Sequence, residues 1–530
     1  MTVVSETEGV LDALDRVIEK AVSAAREREI DEQQVALARL ADLATKLRAA
    51  RDLVTYATDA GELYAEQAAV FTGHVAVETC NLVRHHAPEH GLDASDEPDS
   101  RVQDYAREAL SEARLRSIGR EVARRGGRND CPLEELLELT RDAVREFAEA
   151  EVVPHAERIH RGDLIVPESV IESMAELGYF GLSVPEEFGG SEMGNVAMVI
   201  TTEELSRASL AAAGSLITRP EILTKALLAG GTEAQKKEWL PRVASGELMV
   251  GISVTEPDVG SDVASVKCRA ERATVDGVEG WTINGPKAWC TFAGRADILS
   301  VLLRTGPDTG ARGLSLFIVP KERFAGHEFA CVQPAGGKLV GKADATPGYR
   351  GMHSFTLNFE DYFVPAQNLV GGEEGLGRGF YLQMGGFAAG RLQTGGRACG
   401  LAQAALEETA RYVSDRTQFG APLIDFQLTQ HQLGWMACQV AAARAITYAA
   451  AAAMDENERA AAPYAAQAKL LACDVAVETS QAGQLLHGGW GYAEEYPISR
   501  YVVDAQVLPI FEGVKAILQL RVIGRALLSG

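Results

Sequence analysis

The sequence predicts an α+β chain that is mainly α, with helices first, a β-rich stretch in the middle and helices again at the end. Three observations predict it. Apolar residues recur at helical spacing through most of residues 1–250. Between 251 and 365 short alternating segments such as WTING, ILSVLLRT, LSLFIVP and SFTLNF are separated by Gly and Pro. From 366 to 530 the texture returns to long Ala/Leu-rich runs.

The elements follow in order. Residues 1–125 read as a helical extension, because LARLADLATKLRAARDLVTYA keeps an apolar stripe with few Gly or Pro. HHAPEHGLDASDEPDS (85–100) reads as a loop, and RRGGRNDCP (124–132) as a linker. A second helical domain is expected over 130–250, broken near VPEEFGG (184–190). A middle β-domain follows over 251–365, then a C-terminal helical domain over 366–530. AARDLVTYA at 49–57 parallels AARAITYA at 442–449, and VAVET occurs at both Val75–Thr79 and Val475–Thr479. The extension is therefore either a degenerate copy of the C-terminal helices or a chance likeness between Ala-rich segments.

Composition bounds the function. Hydrophobic residues at 46% and charged residues at 24% are ordinary for a soluble globular chain. A net charge of -23 repels phosphates and anionic lipids, so neither nucleic acid nor membrane is an expected partner. The 8 cysteines are scattered with no C-x-x-C pair, which argues against a disulfide framework or a metal site. The acidic, amphipathic start lacks a signal-peptide pattern, so a cytoplasmic location is expected.

The strongest local signal is Gly251-Ile-Ser-Val-Thr-Glu-Pro-Asp-Val-Gly-Ser-Asp262. It reads as a strand ending in a turn fixed by Pro257 and Gly260, with hydroxyls at Thr255 and Ser261. Such a turn offers free N–H groups to a polar heterocycle or a phosphate. Then come Trp281-Thr-Ile-Asn-Gly-Pro-Lys-Ala-Trp-Cys-Thr-Phe-Ala-Gly294, Arg416-Thr-Gln-Phe-Gly420 with Phe426-Gln427, His487-Gly-Gly-Trp-Gly-Tyr492, and Phe511-Glu-Gly513. In order and spacing this set resembles the acyl-CoA dehydrogenases, over about residues 130–530.

The resemblance implies that family's fold: a helical domain, a middle β-domain and a C-terminal four-helix bundle, here with an extra helical extension. It implies FAD as cofactor, an acyl-CoA as substrate, electron-transfer flavoprotein as electron acceptor, and a homodimer or homotetramer. The chemistry removes an α-proton from an acyl thioester and a hydride from its β-carbon. An α C–H is a weak acid, so a base and a polarised thioester carbonyl are both needed. Glu512 matches the base, and its neighbours Ile510, Phe511 and Val514 are apolar, as a dry site requires. A minority of the family carries its base on the preceding helix; the matching position here is Gly390, which has no carboxylate.

Residue by residue, Ile252, Val254, Thr255, Gly260, Ser261, Trp289 and Thr291 match flavin-ring positions. Arg416, Gln418, Phe419 and Gln427 match contacts to the FAD of a neighbouring subunit, and His487, Gly488 and Gly489 the close approach of backbone to cofactor. Some positions depart. Gln484 stands one residue before the place where the family has Gln, which is Leu485. Val514 replaces a Thr, leaving Lys515 as the nearby phosphate-binding candidate.

Substrate positions implied are Thr218, Arg219, Ser261, Phe387, Arg391, Phe511 and Gly513. Arg219 is either a receptor for a carboxylate on the acyl tail or a surface Arg capping a helix before Pro220. The extension, the F-E-G-V ending and Gly348-Tyr-Arg-Gly-Met-His-Ser354 together resemble a branch of the family whose acyl tail is a short, branched dicarboxylate, and that resemblance implies a substrate of this class. The alternatives are another short-chain acyl-CoA (butyryl, isovaleryl or glutaryl type), an O2-using acyl-CoA oxidase and, least favoured, a non-catalytic scaffold.

Overall fold

The computed structural model describes residues 3–307 and 310–529. The extension runs α1 (Val3–Ala25), α2 (Gln34–Ala60), α3 (Glu62–His86), α4 (Ser100–Ala109) and α5 (Glu112–Arg124). There follow α6 (Glu135–Phe147), α7 (Val153–Gly162), α8 (Glu168–Glu176), α9 (Gly194–Ala208), α10 (Thr218–Gly230) and α11 (Glu233–Ala244). Eight strands come next: β1 (Val250–Ser253), β2 (Arg269–Val275), β3 (Val278–Thr291), β4 (Ile298–Arg304), β5 (Leu314–Pro320), β6 (Glu328–Val332), β7 (Lys338–Ala343) and β8 (Ser354–Pro365). The chain closes on α12 (Gly379–Asp415), a hairpin of β9 (Thr417–Gln418) and β10 (Ala421–Pro422), α13 (Gln427–His487) and α14 (Ile498–Ala505). No helix among the described residues is long and apolar enough to cross a membrane.

Contacts divide the chain into two units. One comprises the residues up to Arg145, Ser206–Ala208 and everything from Thr394; the other comprises Glu146–Leu205 and Ser209–Gln393. In the first unit α13 bends at Asn457 (φ −156°, ψ 91°), whose side chain caps the second arm by accepting from the Ala460 amide at 3.1 Å. The bend falls inside a run that reads as unbroken helix in the sequence. The extension packs on both arms: the Tyr56 ring meets the edge of Tyr448 at 6.5 Å, and Tyr464 donates to Asp52 at 2.6 Å. The repeated motifs all lie on helices. Residues 49–57 lie in α2 and Val75–Thr79 in α3, hinged at Gly61, while 442–449 and Val475–Thr479 lie in the two arms of α13.

The expected linker at 124–132 is irregular and largely exposed, but it is anchored at Gly127, Asn129 and Cys131, which are buried. Asn129 is 1% exposed. Its carbonyl accepts from Tyr64 at 2.6 Å and also from Arg444, its Oδ1 from Gln67 at 2.8 Å, and its Nδ2 donates to the Ala437 carbonyl at 2.9 Å. Asn129 satisfies buried polar groups where α3 meets α13.

Helices α5 and α13 cross at backbone contact. A Cβ on Gly119 would stand 1.9 Å from the Gln430 carbonyl oxygen, and one on Gly434 would stand 2.1 Å from the Leu115 oxygen. Gly119→Ala therefore has to push two helices apart, at a cost of about 1–3 kcal/mol. The expected result is a lower thermal midpoint by circular dichroism; an unchanged midpoint would show that the crossing tolerates separation.

The second unit holds the sheet, in the order β1-β4-β2-β3-β8-β7-β6, with β5 also paired to β4. β4 and β5 are buried on both faces except at one end, which explains their continuous apolar runs. β1 runs parallel to β4, while β3 pairs antiparallel with both β2 and β8. β3 carries two register shifts, between Ile283 and Gly285 and between Lys287 and Cys290. The second positions a predicted site residue.

Candidate active site

In the second unit the site is built on the β3 bulge. Lys287 turns inward with no exposure, Trp289 takes a left-handed φ of 56° and stays 59% exposed, and Cys290 returns to the core. The Lys287 ammonium bonds the Val254 carbonyl at 3.0 Å, the Leu302 carbonyl at 2.7 Å and the Glu256 carboxylate at 3.0 Å. Glu256 in turn accepts from the Lys267 and Cys268 amides, each at 2.8 Å. Burial pushes the Lys287 ammonium below its usual range. The Glu of V-T-E-P and the Lys of I-N-G-P-K are thus the buried ion pair that shapes the turn after β1.

Around that turn Ile252 and Thr255 are half-buried, Gly260 and Ser261 are exposed, and Val254 faces the core. Thr255 ties to β3 through its carbonyl, which accepts from the Ala288 amide at 2.8 Å. Thr291 ends β3, with its hydroxyl 3.1 Å from that of Ser354.

Arg219 opens α10, and the structure removes the surface reading of it: the side chain is 6% exposed. Its Nη1 donates to the Ser215 carbonyl at 3.1 Å, and its guanidinium lies 6.0 Å from the ring centre of Tyr349. Among the described residues no carboxylate pairs with it. The Thr218 hydroxyl beside it is buried with no hydrogen-bond partner among the described residues. The start of α12 brings Phe387 and Arg391, both half-buried. It also buries the amides of Gln383 and Gln393, neither with a partner among the described residues, which sequence reading missed.

In the first unit the site centres on Glu512. It stands at a left-handed φ of 55°, followed by Gly513 at 106°, so the chain turns sharply at the carboxylate. Lys469 of α13 pins this turn by donating to the Gly513 carbonyl at 2.7 Å. The expected apolar wall is not what surrounds the carboxylate. Ile510 is 61% exposed and Val514 36%. Instead Arg397 of α12, with no exposure, donates to Glu512 Oε1 at 2.8 Å, and Thr394 donates to Oε2. Phe511 contributes its ring to the guanidinium, 4.6 Å away. Lys515 does not reach out for a phosphate; it pairs with Asp474 at 2.5 Å.

A groove in the same unit gathers Tyr412, Arg416, Gln418, His487, Gly488, Gly489 and Leu485. Arg416, Gln418 and Phe419 sit on the exposed β9–β10 hairpin, with Phe419 96% exposed, and Gln427 is exposed at the start of α13. Gln484 lies outside this lining; its amide donates to the Gly491 carbonyl at 3.1 Å. His487 is buried, stacks on Tyr412 at 4.1 Å and approaches the Gly483 carbonyl at 2.7 Å through Nδ1.

Comparison with known proteins agrees with this arrangement. Profiles described as the acyl-CoA dehydrogenase N-terminal, middle and C-terminal domains match residues 134–247, 251–362 and 377–528. The chain belongs to the acyl-CoA dehydrogenase family. It is 42% identical over 418 residues to (2S)-methylsuccinyl-CoA dehydrogenase of Cereibacter sphaeroides, covering 79% of this chain and 74% of the relative. A glutaryl-CoA dehydrogenase solved with glutaryl-CoA is 32% identical with a TM-score of 0.68, over 76% of this chain and 97% of that one. A chain solved in work on the electron transferring flavoprotein of Acidaminococcus fermentans is 31% identical with a TM-score of 0.68, over 76% and 100%.

Acyl-CoA dehydrogenases are FAD-dependent oxidoreductases, and the residues present fit a flavin. A Cβ at Gly260 or Gly489 would meet no protein atom within 4 Å, and neither glycine has a positive φ. The fold itself does not demand glycine there, and the open backbone leaves room for a flat group. The bulge likewise holds the Trp289 ring out of the sheet.

Proposed function

We propose that this acyl-CoA dehydrogenase oxidises a short, branched, dicarboxylic acyl-CoA, with (2S)-methylsuccinyl-CoA to mesaconyl-CoA as the best-supported reaction, a step of the ethylmalonyl-CoA route. The single observation that carries this is Arg219: a guanidinium buried without a carboxylate partner. A buried charge is costly when uncompensated, so a site that keeps one is built for a ligand of opposite sign. The orphan hydroxyl of Thr218 adds a second donor at the same place. The 42% identity to a methylsuccinyl-CoA dehydrogenase supports the same substrate.

In this reading Glu512 takes the α-proton. The Gly513 carbonyl, pinned by Lys469, fixes the segment that carries the base, so little reorganisation is left for the reaction. The family resemblance assigns Phe511 and Gly513 of one unit, and Thr218, Arg219, Ser261, Phe387 and Arg391 of the other, to acyl-CoA binding. Bound FAD supplies the hydride acceptor. The family resemblance assigns Ile252, Val254, Thr255, Gly260, Ser261, Trp289 and Thr291 to the flavin ring, and His487, Gly488 and Gly489 to the close approach of backbone to cofactor, while Gln484 is turned to the Gly491 carbonyl. Arg416, Gln418, Phe419 and Gln427, on an exposed hairpin and helix start, suit the FAD of a second copy in a homodimer or homotetramer. The likeness to a chain from the electron transferring flavoprotein work supports that protein class as electron acceptor.

The test is anaerobic bleaching of the flavin band near 450 nm by a panel of acyl-CoAs. Methylsuccinyl-CoA is expected to bleach fastest, ahead of glutaryl-, butyryl- and isovaleryl-CoA. Faster bleaching by a monocarboxylic acyl-CoA would sink the substrate assignment.

A further inference from the structure

We propose that Arg397 is the positioning residue of Glu512, fixing the direction of its carboxylate and holding it in the ionised form that can accept a proton; this rests on Glu512 being the base.

The geometry is a closed set of bonds. Arg397 Nη2 donates to Glu512 Oε1 at 2.8 Å and to Thr394 Oγ1 at 2.6 Å, and Thr394 donates to Glu512 Oε2. Both carboxylate oxygens are therefore engaged, one by a cation and one by a hydroxyl, from a single turn of α12. The Phe511 ring backs the guanidinium at 4.6 Å, which fixes its plane. Arg397 has no exposure and sits in the run Thr394-Gly-Gly-Arg-Ala-Cys-Gly400, where small residues otherwise prevail. A fully buried guanidinium there is compatible with folding only with a counter-ion, and Glu512 is that counter-ion.

The other charged and titratable groups on this side are few. From α13 come Lys469, on the Gly513 carbonyl, and Cys473, whose thiol burial pushes up to about 12 and so keeps neutral. Asp474 is taken by Lys515 at 2.5 Å. Arg397 bonds the carboxylate directly, while Lys469 bonds the neighbouring Gly513 carbonyl. An opposite charge at hydrogen-bond distance favours the ionised carboxylate, whereas an apolar wall favours the protonated acid. The two settings predict different acid limits for proton abstraction.

The experiment measures anaerobic flavin reduction by the best acyl-CoA from about pH 5.5 to 9, on FAD-loaded Arg397→Met, Arg397→Lys, Thr394→Val and Glu512→Gln. Arg397→Met is expected to keep its flavin and to move the acid limb of the rate profile up by about 1–3 pH units, with the rate recovering at high pH. Arg397→Lys is expected to return the limb to near its wild-type place at a reduced maximal rate. Thr394→Val, which keeps the cation, is expected to move the limb upward by less. An acid limb in Arg397→Met that coincides with wild type, at normal or uniformly lowered rate, overturns the proposal. If Arg397→Met does not fold, an unmoved limb in Thr394→Val does so. Glu512→Gln separates the failures: if it reduces flavin at near wild-type rate, the base assignment itself is wrong. If it is inactive while the limb in Arg397→Met stays put, only the role of Arg397 falls.

Discussion

Glu512→Gln is expected to yield a yellow protein that binds acyl-CoA yet reduces its flavin about 10²–10⁴-fold more slowly, the range a positioned general base contributes. The substitution keeps the shape and the carbonyl acceptor but removes the lone pairs that take the proton. It also strips Arg397 of its counter-ion inside the helical unit. Breaking a buried pair from one side costs about 3–5 kcal/mol, so the thermal midpoint should fall as well. That loss would confuse a simple reading of activity, and a double variant removes the ambiguity. Glu512→Gln with Arg397→Met eliminates both charges, so the midpoint should recover while turnover stays lost. Stopped-flow bleaching and thermal scans on the two variants check this. Recovery of turnover alongside the midpoint would mean that Glu512 matters for folding rather than for proton transfer.

What the sequence disclosed depended on how local each signal was. The helix–β–helix order was legible because it rests on periodicities of 3.6 and 2 that each segment carries within itself. The family was legible because its motifs keep their order over most of the chain, and Glu512 could be singled out from 74 acidic residues on that basis alone. Arg397 was not legible: its meaning comes from a contact across 115 positions of sequence. A charged residue inside a small-residue helical run was the one available hint. The apolar neighbours of Glu512 misled for a related reason. Adjacency in sequence says little about which side chain faces inward once the backbone takes a left-handed turn, and Ile510 and Val514 face out. In the linker at 124–132, Gly and Asn signalled an irregular backbone but could not say that Asn129 would be buried.

Arg219 is taken off the surface by burial, and it carries the second large effect. Arg219→Met is expected to lower kcat/KM for methylsuccinyl-CoA by roughly 30- to 4,000-fold, corresponding to about 2–5 kcal/mol for truncating one side of a buried charge pair. Most of the change should fall on KM, because the distal carboxylate is not the reacting group and its contact is shared by substrate and transition state. Butyryl-CoA, which brings no carboxylate, should lose little or even gain, since Met removes a guanidinium that such a tail cannot compensate. Without ligand the same replacement should leave the thermal midpoint unchanged or higher. The wild-type residue sits at 6% exposure with the Ser215 carbonyl and the Tyr349 ring as its company, so the apo fold gains nothing from its charge. These two outcomes together distinguish a substrate receptor from a structural Arg, which would lower the midpoint and affect both acyl-CoAs alike. Equal losses for the dicarboxylic and monocarboxylic substrates would remove Arg219 from the acyl site.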